Sequence, residues 1–136
     1  MAKIRKVDYF VVRAKNRAGE GARMLKALKK QGVGLLAFSA FPEGGGAQVD
    51  FVPEDTGDFL RAVKALNWKV SPRKIGFLVQ GKDKTGALSG TLSKLGKAGI
   101  NVTAMNGVSA GRKRFGAIFW VQAADVAKTA KLLKAK

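Results

Sequence analysis

Adding 67 to a position in the first half of this chain lands repeatedly on the same residue type. Phe10 falls on Phe77, Val12 on Val79, Lys15 on Lys82, Gly19 on Gly86, Leu25 on Leu92, Leu28 on Leu95, Gly32 on Gly99, Ala37 on Ala104, Asp58 on Asp125 and Leu66 on Leu133. One offset carries turn glycines, helix-stop glycines and core leucines together, which chance rarely does. Two tandem copies of one supersecondary unit are therefore expected, and 136 residues suffice for one ordinary domain or two small ones.

Within the first copy, Val7 to Arg13 is β-branched and aromatic and reads as a strand. From Glu20 to Gln31, Met24, Leu25 and Leu28 share one helical stripe and Arg23, Lys26 and Lys30 another, and Gly32 stops the helix. Val33 to Phe41 and Ala47 to Val52 read as a hairpin around Pro42 to Gly46. Glu54, Asp55 and Asp58 open a second helix whose buried stripe is Phe59, Val63 and Leu66. Trp68 to Val70 reads as a short fourth strand. The order is β-α-β-β-α-β, so the expected fold class is α+β: two ferredoxin-like units in tandem, over 1–72 and 73–136, each an antiparallel sheet with both helices on one face.

The second copy departs in one place. Lys136 is the image of Lys69, so the second unit's fourth strand is expected to be missing or truncated, or its edge filled from elsewhere, for instance by the stretch Ala2 to Lys6. An uncovered edge invites pairing with another chain. In Phe115 to Trp120, alternation puts Phe115, Ala117 and Phe119 on one face and Ile118 and Trp120 on the other. Helices cover only one of these faces, so the other is expected to pack on a second sheet, most simply in a homodimer.

The charge balance of 26 Lys and Arg against 9 Asp and Glu, a formal +17, invites an anionic partner such as nucleic acid. The hydrophobic fraction of 46% is spread along the chain and argues against disorder. No apolar stretch approaches the ~20 residues of a membrane span. The basic stretch Met1 to Lys6 is not followed by an apolar run long enough for a secretory leader, so none is expected and a cytoplasmic protein is. The absence of Cys and His removes thiolates, disulfides and imidazole bases; no serine has a histidine partner, and no residue set has metal-ligand spacing. A non-enzyme without cofactor or metal is expected. Gly81 to Gly86 has the glycine spacing of a phosphate-binding loop, but Ala87-Leu88 stand where its Lys-Ser/Thr must be, and Gly19-Glu20-Gly21 lacks the third glycine of a dinucleotide fingerprint.

The stretch Gln80 to Leu88 joins an apolar strand to a helix, and such a turn aims backbone N–H groups and the positive end of a helix dipole at whatever docks there. Asp83-Lys84-Thr85-Gly86-Ala87-Leu88, a helix, and then Gly99-Ile100-Asn101-Val102 entering a strand resemble the ACT domain signature, with Thr85 where proline is common. The first copy is a weaker match: Asn16 to Gly19 keeps the spacing, Gly21 replaces the aliphatic residue, and Gly32-Val33-Gly34-Leu35 lacks the asparagine. The resemblance implies a regulatory module that binds a small amino acid, as a homodimer, between the first turn and the start of the second strand. It points to Asp83, Thr85, Gly86, Ala87, Leu88, Asn101 and Val102, and in the first unit to Asn16, Gly19 and Gly34. An α-carboxylate suits the N–H groups at Gly86 and Ala87, an α-ammonium suits Asp83, and Asn101 can donate and accept. Glu20 at the start of the first helix would repel a carboxylate, which favours the second unit.

RNA-recognition motifs share the β-α-β-β-α-β order, and Lys113 to Trp120 resembles their third-strand signature, with Arg114 in place of a glycine and Ala117 in place of an aromatic. A basic nucleic-acid-binding module of that topology, or a dimerisation scaffold with no ligand, are the alternatives. Arg23, Lys26 and Lys30, and again Lys128, Lys131 and Lys134, line helix faces, and only Arg112 to Arg114, and Lys3, Arg5 and Lys6, could frame a sheet-side RNA site.

Overall fold

The computed structural model describes residues 2–136; Met1, at the head of the basic stretch, lies outside them. The elements are β1 (Lys3–Ala14), α1 (Glu20–Lys30), β2 (Leu35–Glu43), β3 (Gly46–Pro53), α2 (Thr56–Ala65), β4 (Lys74–Lys82), α3 (Ser89–Lys97), β5 (Val102–Gly111), β6 (Arg114–Val121), a 3-10 turn (Ala123–Asp125) and α4 (Val126–Leu133). The class is α+β, with antiparallel pairing and the hydrogen-bonded strand order β2-β3-β1-β4-β6-β5. Two compact units form: Asp8–Lys74, and Ile75–Lys136 joined by the N-terminal segment through Val7.

In the N-terminal unit, alternation along β1 and β3 sends Phe10, Val12, Val49 and Phe51 into the core. Met24 and Leu28 of α1 and Phe59, Ala62 and Val63 of α2 meet them there. Phe10 stands opposite Phe51 in the strand register and stacks on Phe59 with ring centroids 5.1 Å apart. Leu25, read above as part of the buried stripe, is 39% exposed: at 100° per residue it follows Met24 out of the core-facing arc. Gly32 (φ +76°) ends α1, letting the Val33 N–H reach the Leu28 carbonyl at 3.0 Å. Asp55 caps α2, its Oδ1 accepting from the Asp58 N–H at 2.8 Å.

Trp68 to Val70 is not a strand. The segment is tied to β1 at a single residue: Ser71 N–H donates to the Val11 carbonyl, and Val11 N–H donates to the Ser71 hydroxyl, both at 2.9 Å. A hydroxyl stands where a ladder carbonyl would, and Pro72 has no N–H to continue the ladder.

In the C-terminal unit Phe77, Val79, Leu95, Phe115, Ala117, Phe119 and Val121 form the core. Phe77 stacks on Phe119 at 5.2 Å and pairs with it in register, as Phe10 does with Phe51, so on the third strand the two copies correspond with an offset one residue longer. Gly99 (φ +72°) repeats the helix stop, with Ile100 N–H bonded to the Leu95 carbonyl at 2.9 Å. α4 is the last element among the described residues. The free side of β4, where a fourth strand of this copy would lie, carries the start of β1. Ala2 and Ile4 pack on the core, and a Cβ at Gly81 would stand 3.0 Å from the Ala2 Cα and 3.1 Å from the Phe115 ring. Gly81 keeps no side chain because the incoming strand lies across it.

Ile118 and Trp120, on the face of β6 away from this core, are 5% and 6% exposed in the single chain. The apolar second face is thus covered without a second copy, and its pattern does not by itself call for a dimer.

Candidate functional site

β4 ends at Lys82 and the chain turns before α3. Gly86 adopts φ +70°, open to glycine at little cost. Three backbone bonds shape the turn: Asp83 N–H to the Lys113 carbonyl (2.7 Å), Ala87 N–H to the Lys84 carbonyl (3.0 Å), and Ser89 N–H to the Gly86 carbonyl (2.9 Å). The first fastens the turn to the β5–β6 hairpin. The second commits the Ala87 N–H, one of the two donors expected to meet a carboxylate. α3 opens at Ser89, with no side-chain cap.

Between this turn, the start of α3 and the far end of β5 lies a cleft of about 480 Å³. Asp83, Gly86, Ala87 and Leu88 line it, so four of the residues singled out in the second unit come together. Lys84, Ser89, Leu92, Val108, Ser109 and Phe115 complete most of the wall. The cleft offers one carboxylate (Asp83), one ammonium (Lys84), two hydroxyls and an apolar wall, with Val108 68% exposed. Gly107 keeps the floor open: a Cβ there would stand 3.3 Å from the Leu88 Cδ1.

Thr85 lies in the turn but not on the wall. Asn101 and Val102 do not line this cleft either. The nine residues of α3 carry the chain about 13 Å toward the opposite end of the unit before they appear. Asn101 is exposed there and Val102 packs half-buried on the core. The β5 residues that do reach the turn are Gly107, Val108 and Ser109. Sequence reasoning missed them: a register shift between Ser109 and Gly111 sets Gly107, Val108 and Ser109 opposite Ala117, Gly116 and Phe115, one residue from where regular pairing back from Gly111 and Arg114 would place them. It also missed Lys84.

The equivalent cleft in the N-terminal unit holds about 180 Å³ and is lined by Asn16, among others, but by neither Gly19 nor Gly34. Gly19 (φ +85°) is the N-cap of α1. Gly34 follows α1 and packs on Glu54: a Cβ on it would stand 2.5 Å from the Glu54 carboxylate. The Glu20 carboxylate takes the helix start. Arg23 grips it with two bonds, of 2.9 and 3.0 Å, and Arg17 stands 3.6 Å away. These bonds, Arg23 first, lower its pKa from 4.5 to about 2. The position is therefore already filled by an internal carboxylate. Glu20 and Arg23 become Ala87 and Gly90 in the second copy, and there the space is open.

Phe115 and Phe119 belong to the core of the C-terminal unit, at 7% and 0% exposure. An RNA-recognition motif presents its third-strand aromatics outward to stack on bases. Buried in this way they cannot do so, which removes the physical basis of that reading. Among the described residues no three His, Cys, Asp or Glu side chains gather as a metal site, and no helix is long and apolar enough to cross a membrane.

No family model and no curated protein matches this sequence. Solved structures do match its fold. A protein from Bacteroides thetaiotaomicron superposes with a TM-score of 0.78 at 17% identity, over 98% of this chain and 88% of that one. The ligand-free regulatory subunit of aspartate kinase from Thermus thermophilus gives 0.63 at 12% identity, over 98% and 94%. The allosteric aspartate kinase from Clostridium acetobutylicum gives 0.58 at 17% identity, over 97% of this chain and 33% of that enzyme. At these identities the likeness is one of fold.

Proposed function

We propose that this protein is a regulatory module of the ACT type, without catalysis of its own, whose C-terminal unit binds a small amino acid in the cleft beside Gly86. The observation that carries this reading is the pairing of Asp83 and Lys84 on one cleft beside an apolar wall. A carboxylate for the α-ammonium, an ammonium for the α-carboxylate and an apolar surface for the side chain are the three groups such a ligand needs. The fold likeness to a regulatory subunit of aspartate kinase supports it from a second direction. Thr85 shapes the turn rather than touching ligand. Asn101 and Val102 would take part only across an interface between copies. The counterpart residues Asn16, Gly19 and Gly34 bind nothing, because Glu20 already occupies the helix start of the first unit.

A homodimer is part of the proposal. β5 ends the strand order and is exposed along nearly its whole length, so its unpaired edge is a ready surface for a second copy. In a thermal-shift screen against the twenty amino acids at millimolar concentration, one or a few should stabilise the protein by ~1 kcal/mol or more. Asp83→Ala should abolish the shift. If no amino acid stabilises the protein, the reading fails, and a dimerisation scaffold without ligand survives only if the protein sediments as a dimer.

A further inference from the structure

The net charge of +17 is not shared evenly. The unit Asp8–Lys74 holds 12 of the cations and 7 of the acids, whereas the C-terminal unit holds 14 and 2. All five ion pairs among the described residues use cations of the first unit: Arg13, Arg17, Arg23, Arg61 and Arg73. The second unit therefore carries its positive charge uncompensated by ion pairs among the described residues.

Much of that charge converges on one cavity. A cleft of about 860 Å³ lies between the start of β1, the exit from β4, α3 and the tail beyond α4. Its α3 residues, Gly90, Thr91 and Lys94, sit on the flank away from Leu88 and Leu92, by helical spacing. Eight cationic side chains line it and no acidic one does: Lys3, Arg5 and Lys6 from β1, Lys82 and Lys84, Lys94, and two lysines of the C-terminal tail. Both acids of the unit, Asp83 and Asp125, lie outside its wall. Two features of the chain produce this. The start of β1 brings three cations to the edge that a fourth strand would have taken. Ala87 and Gly90 stand where the first copy has Glu20 and Arg23, so neither an internal carboxylate nor its guanidinium fills the space.

We propose that this cleft is a second ligand site, for a small organic polyphosphate carrying at least two phosphate groups on an apolar or ring-bearing scaffold, of the nucleoside di- or triphosphate class. Converging like charges in a partly enclosed cavity focus a positive field, and lysines serve phosphates as point-charge donors. The volume lies within the about 300–1,000 Å³ typical of small-ligand clefts. Ile4, Phe115, Leu132 and Leu133 give it an apolar floor, which inorganic phosphate alone would not use. Asp83 does not touch this cleft, so the site does not depend on the amino-acid reading, although Lys84, Ala87 and Phe115 line both clefts.

Calorimetric titration of the intact protein tests it, in about 150 mM salt, where diffuse surface attraction is largely screened. Divalent cations are omitted, since the cleft has no acidic side chain to hold one. ATP should bind at one site per chain, with AMP weaker by about tenfold or more for want of two phosphates. The double variant Lys82→Glu/Lys94→Glu should lose ATP binding. Lys26→Glu/Lys30→Glu, which changes the net charge equally on exposed positions of α1, should keep affinity within about threefold. Lys82→Gln/Lys94→Gln serves if the reversal variant does not fold, and should weaken ATP by about tenfold. No ATP binding, or equal losses in cleft and control variants, overturns the proposal. So does tripolyphosphate binding as tightly as ATP, which denies the scaffold a role, or a short single-stranded RNA binding more tightly than ATP.

Discussion

Gly81→Ala is the substitution that most directly tests the exchange of the N-terminal strand into the second unit. On strand propensity alone, alanine in place of a strand glycine should stabilise by about 0.5–1 kcal/mol. Here the new Cβ would stand 3.0 Å from the Ala2 Cα, 3.1 Å from the Ala2 Cβ and 3.1 Å from the Phe115 ring. One neighbour is backbone and another a ring held at 7% exposure, so neither yields easily. Overpacking of this kind costs about 1–3 kcal/mol, leaving a net loss of about 1–2 kcal/mol. Gly116→Ala is the matched control: it lies in β6, with nothing within 4 Å of the added Cβ, and should be neutral or stabilising. The assay is urea unfolding in a Trp68→Phe background, where emission comes only from Trp120 of the C-terminal unit. The two variants should separate by about 2 kcal/mol, a difference of several degrees in Tm. If Gly81→Ala proves as stable as Gly116→Ala, β1 does not begin on Gly81 and the origin of the basic cleft has to be sought elsewhere.

Two further expectations concern single groups. Thr129 on α4 is fully buried and its hydroxyl has no partner among the described residues, while its image in the first copy is the buried Ala62. Thr129→Val keeps the shape and removes a desolvated hydroxyl, so it should stabilise by about 1–2 kcal/mol in the same unfolding assay, and a loss of stability would mean that the hydroxyl is bonded after all. Glu20 has its pKa lowered from 4.5 to about 2, chiefly by Arg23. A carboxylate whose folded pKa lies below its unfolded value adds stability that is complete above pH ~4.5 and drains away as pH falls toward ~2. Glu20→Gln should therefore flatten the stability of the N-terminal unit across that window, read from Trp68 emission in a Trp120→Phe background, and an unchanged acid limb would refute the assignment.

The sequence by itself determined the local elements and their repetition. Phe10 with Phe77, Leu28 with Leu95, and the stops at Gly32 and Gly99 follow from periodicity and from backbone conformations that glycine adopts cheaply, and these are properties of short windows. The turn from Asp83 to Leu88, and the carboxylate of Glu20 at the helix start of its twin, are likewise legible in consecutive residues. What it could not decide were matters of partnership. Whether the vacant side of β4 would be filled by Ala2 to Lys6 depends on which strand in the whole chain best satisfies its unpaired N–H and C=O groups. That Asn101 stands a helix length from Gly86, while Val108 and Ser109 reach it, follows from the direction in which α3 runs and from the register of β5 on β6. The burial of Ile118 and Trp120 could be expected from their pattern, but whether a second copy supplied it could not. Local chemistry is written in consecutive residues; the clefts are enclosed by groups far apart in the chain, and only tertiary packing brings those together.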